Sequence, residues 1–157
     1  MNRLLLKLAI TATVCTLLSS NPAAAQVLRP AKRAERVEIT HGPALESARD
    51  DLAIIRWTTN NPGGTDVHFG VVYYGTDPTD LSQMAKSQIR LNRGHPETIF
   101  RVRMPGLKPR TTYYYKVSSV ESGGKSDGVE STISQFTTPG PGERIANSQP
   151  LPLPSLD

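Results

Sequence analysis

Apolar and polar residues alternate along most of this chain, which is the pattern of half-buried β-strands. In the clearest case Ala53, Ile55 and Trp57 alternate with polar or mixed neighbours, so Trp57 is expected on the core face. Segments rich in Gly, Pro, Asn and Asp separate the alternating runs, as turns do. Strands are predicted near residues 37–40, 53–58, 69–74, 100–104, 113–117 and 129–137, with a short one at 81–86 or 88–91. This pattern predicts an all-β sandwich of about seven antiparallel strands.

The first 25 residues have a different pattern, that of a signal peptide. Arg3 and Lys7 accompany an apolar run over residues 8–18, and three alanines at 23–25 precede Gln26. A run of this length is too short to span roughly 30 Å of hydrocarbon. We therefore expect cleavage after Ala25 and a secreted or periplasmic protein without stable membrane insertion, with an uncleaved anchor as the alternative.

Composition divides the remaining chain into three parts. Residues 26–35 are polar and irregular and are predicted to be a linker, and residues 36–139 form the predicted domain. Residues 140–157 are rich in proline, which fixes φ and removes backbone donors, so this tail is predicted to be disordered and extended. A spacer role is expected for the tail, and docking on another surface is the alternative.

Charge and cysteine usage exclude several functions. The only cysteine lies in the predicted signal peptide, so the mature chain has neither a disulfide nor a thiol nucleophile. Of the 18 Lys and Arg residues two lie in the signal peptide, leaving 16 against 14 Asp and Glu. A nearly neutral chain without a basic, aromatic stripe is not expected to bind nucleic acid.

Three residues near the end of the predicted domain have the spacing of a tyrosine corner. Leu107, Pro109 and Tyr113 place a tyrosine hydroxyl where it folds back onto upstream backbone in Greek-key sandwiches. With Trp57 early and Phe136 late, residues 36–139 resemble a fibronectin type III domain. The residues given a structural role are Trp57, Leu107, Pro109, Tyr113, Tyr115 and Phe136.

A narrower resemblance follows from the amino-acid sequences of three predicted strand segments. Residues 55–59 (IRWTT), 72–76 (VYYGT) and 106–115 (GLKPRTTYYY) are similar to the N-terminal domain of purple acid phosphatases. In that family this domain precedes a metallophosphoesterase domain that carries the di-metal site. The resemblance implies an accessory role beside a phosphatase, and the catalytic domain is not expected in this chain.

No catalytic residue, metal site or cofactor is predicted. Asp66 and His68 have the Asp-x-His spacing of one metal-ligand block, yet no Gly-Asp or Gly-Asn-His block accompanies them, so they are interpreted as structural. His41 and His95 are interpreted as loop residues. A Ser-His-Asp arrangement is left open, because its members need only meet in space.

The candidate binding face consists of the residues that the alternation sends outward on two strands expected to pair. They are Phe69, Val71, Tyr73, Tyr114 and Lys116. Aromatic residues beside a cation could hold a protein or a glycan, whereas the alternative is that these pairs only stabilise an exposed sheet face.

Three functions are compatible with these observations. The first is a secreted, non-catalytic interaction or accessory module. The second is a detached N-terminal domain that is associated with a metal-dependent acid phosphatase. The third is a structural or adhesive envelope protein that assembles through free sheet edges or through its tail.

Overall fold

A computed structural model of the protein describes residues 32–146. All regular structure within this range is β, in agreement with the period-two pattern of the sequence. The same residues contain no helix of the length and hydropathy needed to cross a membrane. The strands are β1 (Ile39–Arg49), β2 (Leu52–Asn60), β3 (Val67–Gly75), β4 (Gln83–Arg90), β5 (Glu97–Pro105), β6 (Thr112–Glu121), β7 (Ser126–Glu130), β8 (Ser134–Thr137) and β9 (Arg144–Ala146).

The strands form two antiparallel sheets. The back sheet has the order β5-β2-β1-β9, and the front sheet has the order β4-β3-β6-β7. β8 also pairs with β6, so β7 and β8 pair with different parts of the same strand. Hydrogen-bonded strands separated in sequence, such as β2 with β5 and β3 with β6, show the crossed connections of a Greek-key sandwich.

The core lies between the sheets and is built from alternate residues of each strand. Trp57 of β2 faces Phe100 of β5 in register, and the two rings stack with centroids 5.1 Å apart. Gly70 of β3 faces them from the front sheet, where a Cβ atom would come within 2.9 Å of the Trp57 ring. Glycine at this position therefore provides room for the indole.

The tyrosine corner predicted from the sequence is present. The backbone N–H of Lys108 donates a hydrogen bond to the Tyr113 hydroxyl oxygen at 2.9 Å, and Leu107 is buried beside the core. Tyr113 also packs on Phe136, with ring centroids 5.8 Å apart. Pro109 lies at the surface, and its carbonyl accepts a hydrogen bond from the Thr111 hydroxyl. The corner joins the end of β8 to the turn before β6.

The strand boundaries differ from the prediction in four places, which raises the count from about seven to nine. β1 continues to Arg49 instead of ending at Thr40, because bulges let it pass Gly42 and Pro43 while paired with β2. β4 (Gln83–Arg90) is one continuous strand that overlaps both predicted alternatives, 81–86 and 88–91. The predicted strand 129–137 is divided into β7 and β8 by residues 131–133.

The fourth difference concerns the ends of the predicted domain. Arg144–Ala146, which belong to the predicted disordered tail, pair with Ser47–Arg49 of β1 as strand β9. At the other end the N–H of Ala34, within the predicted linker, donates to the Asn61 carbonyl at 2.9 Å. The signal-peptide prediction and most of the tail lie outside the described residues.

Candidate binding surface and buried polar cluster

The structure brings the five predicted binding residues together on the outer face of the front sheet. β3 pairs with β6 so that Tyr73 is opposite Lys116 and Gly75 is opposite Tyr114. Phe69 and Val71 precede Tyr73 at intervals of two residues along β3, so they share its face. The register therefore makes Tyr73 and Lys116 direct neighbours, whereas Phe69 lies opposite Val120, at the other end of the face from Tyr114.

The five residues differ in how much surface they expose. Val71 is only 3% exposed although it points outward, so it offers almost no area to a partner. Its in-register neighbours across the sheet are Lys86 and Ser118. The Lys86 ammonium also lies 3.9 Å from the centroid of the Phe69 ring and covers it. The accessible part of the face is consequently at its Tyr73 end.

An open groove of about 540 Å³ lies at that end, between the loop that follows β3 and the segment that joins β7 to β8. We call this the outer groove. It is lined by Tyr73, Pro78, Thr79, Leu81, Lys116, Glu130 and Ile133.

Two exposed apolar side chains accompany the outer groove. Ile133 lines it and is 50% exposed, and Met84, opposite Tyr73 on β4, is 59% exposed. Sequence reasoning missed both, since it treated 129–137 as one strand and left open which of two segments formed β4. The only available signal was that apolar residues stand within polar runs.

The charges of the outer groove are paired. Lys116 forms an ion pair with Glu130 across β6 and β7, and its ammonium lies 5.7 Å from the Tyr73 ring centroid. At the rim, hydrogen bonds from the Thr79 backbone and side chain lower the pKa of Asp77. The lining therefore combines Tyr73, Leu81 and Ile133 with polar groups, and its two charged side chains compensate each other.

A polar cluster lies inside the sandwich, at the end of β3 away from the outer groove. His68 is 0% exposed and the Asp127 side chain 1%, and His68 Nδ1 lies 3.0 Å from Asp127 Oδ2. His68 Nε2 lies 2.9 Å from the Gly63 carbonyl oxygen, and the Ser119 hydroxyl donates to Asp127 Oδ2 at 2.7 Å. We call these four residues the buried polar cluster.

The buried polar cluster contains a Ser, a His and an Asp in an order that does not suit nucleophilic catalysis. A catalytic triad places the histidine between the serine and the carboxylate, so that the imidazole takes the serine proton. Here Asp127 is in the middle, and the Ser119 proton is directed at the carboxylate. All three groups are also closed to solvent, so the arrangement is structural.

The other histidines and Asp66 have separate contacts. Asp66 accepts a hydrogen bond from Arg93 Nε at 2.6 Å at the surface, away from the His68 side chain in the interior. The interpretation of His41 as a loop residue is wrong, because His41 lies in β1 opposite Thr58, with its Nδ1 3.8 Å from a Glu97 carboxylate oxygen. His95 lies between β4 and β5 and contacts backbone atoms of Glu97. Among residues 32–146 no three His, Cys, Asp or Glu side chains are grouped closely enough to hold a metal ion.

The sheet order and the tyrosine corner define a class of protein. Three strands β1, β2 and β5 face a sheet of β3, β4, β6 and the β7–β8 edge, which is a fibronectin type III-like sandwich. The sequence model of the family described as the purple acid phosphatase N-terminal domain matches residues 43–138, which is more than half of the chain. The chain therefore belongs to the family of purple acid phosphatase N-terminal domains, and the matched part is the family's non-catalytic β-sandwich.

Solved structures with a similar fold belong to other kinds of protein. The sensor domain of the anti-sigma factor RsgI4 of Pseudobacteroides cellulosolvens is 20% identical in its long form, with a TM-score of 0.46, covering 73% of this chain and 98% of that one. The third fibronectin III domain of human KIAA0343 is 17% identical with a TM-score of 0.33, covering 80% and 95%. No curated protein matches the sequence.

Proposed function

We propose that this chain is an exported, non-catalytic accessory module that binds another protein through the outer groove. The observation that carries the proposal is the cluster of exposed apolar side chains around Tyr73, which includes Met84 and Ile133. Exposed apolar patches with a polar rim often mark protein interaction sites. The paired charges of Lys116 and Glu130 leave the floor free of an unpaired ion that a partner would have to desolvate.

A protein partner fits the outer groove better than a glycan does. Sugar rings stack on an open aromatic face, whereas here the Lys116 ammonium approaches the Tyr73 ring. Flexible and branched apolar side chains such as Met84 and Ile133 adapt to an apolar protein segment. The partner class is thus a protein that presents apolar side chains.

The test uses two exposed isoleucines on opposite sheets. A photo-crosslinking amino acid is placed at Ile133 in the outer groove or at Ile99, which is 41% exposed on β5 of the back sheet. In envelope and culture fractions we expect one discrete crosslinked protein from position 133 and none from position 99. Equal crosslinking at both positions, or none at position 133, would contradict binding through the outer groove.

A second candidate function is an accessory role beside a metal-dependent acid phosphatase, and family membership favours it. The module itself is proposed to lack phosphoesterase activity. With a chromogenic phosphate ester and added divalent metal ions, we expect the purified chain to show no turnover above the buffer blank. Metal-dependent hydrolysis that copurifies with the chain would overturn this part of the proposal.

Export is proposed from the signal-peptide pattern of residues 1–25. We expect intact-mass measurement of the protein from its native host to give a chain that begins at Gln26. A mass that includes residues 1–25 would contradict cleavage and would support a membrane-anchored form.

A further inference from the structure

The sequence after β9 has an unusual composition for a spacer. Between Glu143 and Asp157 the only charged residue is Arg144, and residues 150–154 alternate proline with leucine. Spacers are normally rich in polar residues, because apolar side chains gain nothing from exposure to water. A Pro-Leu segment is instead typical of extended ligands that dock in aromatic-lined grooves.

In the described fold, β9 ends on the side of the sandwich that carries the outer groove, so the segment begins on that side. β8 and β9 are joined by only the six residues 138–143, so the β9 edge of the back sheet lies beside the β7–β8 edge of the front sheet. The opposite edges also meet, since the Arg103 N–H donates to the Ser87 hydroxyl from β5 to β4. Ile133, between β7 and β8, is therefore on the side where the chain leaves β9.

The length of chain after Ala146 is sufficient to reach the outer groove. Crossing between the sheets takes roughly 10 Å, and each strand passed adds about 4.8 Å, which gives a path of roughly 25 Å. Residues 147–154, which lead to the end of the Pro-Leu segment, extend to about 25 Å at a rise of about 3.1 Å per residue. Residues 150–154 would reach Ile133 first and Tyr73 next.

The chemistry of segment and groove is complementary. Neither Pro nor Leu carries a charge, and the two charges on the floor of the groove, Lys116 and Glu130, neutralise each other. Leucine side chains can pack on Ile133 and Leu81. Carbonyl groups of an extended Pro-rich segment have no internal partners and can accept hydrogen bonds from the groove.

We propose that residues 150–154 of this chain bind in its own outer groove and that a partner has to displace them. The inference rests on the proposed function, because it takes the outer groove to be the binding site. The affinity required is low. A short tether gives an effective concentration in the millimolar range, so a free peptide with a Kd of about 1 mM would occupy the groove for about half of the time when tethered.

The test compares the mature chain with its L151S/L153S variant by two-dimensional NMR. We expect chemical-shift changes at the Ile133 and Met84 methyl groups and at the Tyr73 amide, with no change at the Ile99 methyl group on the back sheet. These changes should not depend on protein concentration between about 50 μM and 500 μM. A synthetic peptide of residues 147–157 added to the variant should restore the original shifts in a saturable manner.

Three results would overturn the inference. Identical spectra of the two proteins would show that the tail does not contact the groove. Shifts confined to the free edge of β1, around Ala44 and Leu45, would show that the tail extends β9 instead. Shifts that grow with concentration would assign the contact to a second copy. In each case crosslinking from position 133 can still succeed, so failure of this inference and failure of the proposed function are distinguishable.

Discussion

Hydrogen-bond requirements explain the buried polar cluster. The Gly63 carbonyl only accepts, so His68 Nε2 has to carry a proton. The Nδ1–Oδ2 contact also needs one proton, which either His68 or Asp127 supplies. The Ser119 hydroxyl completes the cluster by donating to the same carboxylate oxygen. Each member thus depends on the others, because an unpaired polar group in a closed interior is costly.

Breaking this cluster should cost far more than breaking a surface pair of similar geometry. For Asp127→Ala we expect a loss of about 3 kcal/mol in the free energy of unfolding, because His68 and Ser119 lose their partner in the interior. The matched control Asp66→Ala breaks the exposed pair with Arg93 and should cost less than about 1 kcal/mol. Urea denaturation measures both. Equal losses would show that the cluster contributes no more than a surface pair.

The hydroxyl of Tyr113 has a similar role on a smaller scale. Tyr113→Phe leaves the Lys108 N–H without its acceptor, so we expect a loss of about 1–2 kcal/mol with the fold intact. Tyr114→Phe, one residue further and on the outer face, should change stability by less than about 0.5 kcal/mol. Thermal unfolding of both variants checks this, and a larger effect at position 114 would contradict the role of the corner.

Strand β3 connects the buried polar cluster with the outer groove. Its inward side carries His68, Gly70, Val72 and Tyr74, and its outward side carries Phe69, Val71 and Tyr73. The strand therefore fixes the outer groove relative to the core through its pleat. A change that displaces β3 inward or outward should affect both sides.

Gly70 is a position where β3 has little room for a larger side chain. In Gly70→Ala the new Cβ meets side-chain atoms of Trp57 and Val102 at 2.9 Å, so we expect a loss of about 1–3 kcal/mol from overpacking. Gly123→Ala, which meets no atom within 4 Å, is the matched control and should be nearly neutral. Chemical denaturation distinguishes the two, and a neutral Gly70→Ala would contradict the tight packing of Trp57 on β3.

The alternation of residues made much of the fold predictable. β5 alternates buried Phe100, Val102 and Met104 with exposed arginines as the pattern indicates, and the tyrosine corner follows from its spacing. The alternation of apolar and polar residues every two positions determines which face of the sheet a side chain lies on, and reading it requires only local sequence. The all-β class and the inward position of Trp57 followed from the same signal.

Features that depend on distant residues were not predictable in this way. Asp127 is 59 positions from His68, and no sequence spacing indicates that they meet. Extending the alternation of Gly70, Val72 and Tyr74 by one step would nevertheless have placed His68 in the core, where a partner is required. Val71 is buried through its neighbours on adjacent strands, and Ile133 is exposed through the break between β7 and β8, so both depend on pairing.

At the scale of the whole molecule the sandwich should lose stability in alkali. Burial and the neighbouring Tyr113 raise the pKa of Tyr74, and burial raises the pKa of Tyr115 against an opposing hydrogen bond with Ser134. The unfolded chain therefore releases these protons first, and stability present below about pH 10 is lost as the pH rises above it.

This linkage can be measured by urea denaturation between pH 8 and pH 11. We expect a free energy of unfolding that changes little up to about pH 9.5 and decreases above it. Tyr115→Phe removes one of the two groups, so its decrease above pH 10 should be shallower than that of the unmodified chain. An equal slope in both proteins would show that ionisation of Tyr115 does not contribute.

The outer groove is also a property of the whole molecule, since it needs β3, β6, the loop after β3 and the β7–β8 segment together. Its direct test is the affinity of the protein crosslinked from position 133, measured by isothermal titration calorimetry. For the Tyr73→Ser/Ile133→Ser variant we predict a Kd at least about tenfold weaker, equivalent to about 1.4 kcal/mol. Ile99→Ser should bind as the unmodified chain does, and all three proteins should unfold at similar urea concentrations. An unchanged Kd for the double variant, or an equal loss for Ile99→Ser, would contradict binding through the outer groove.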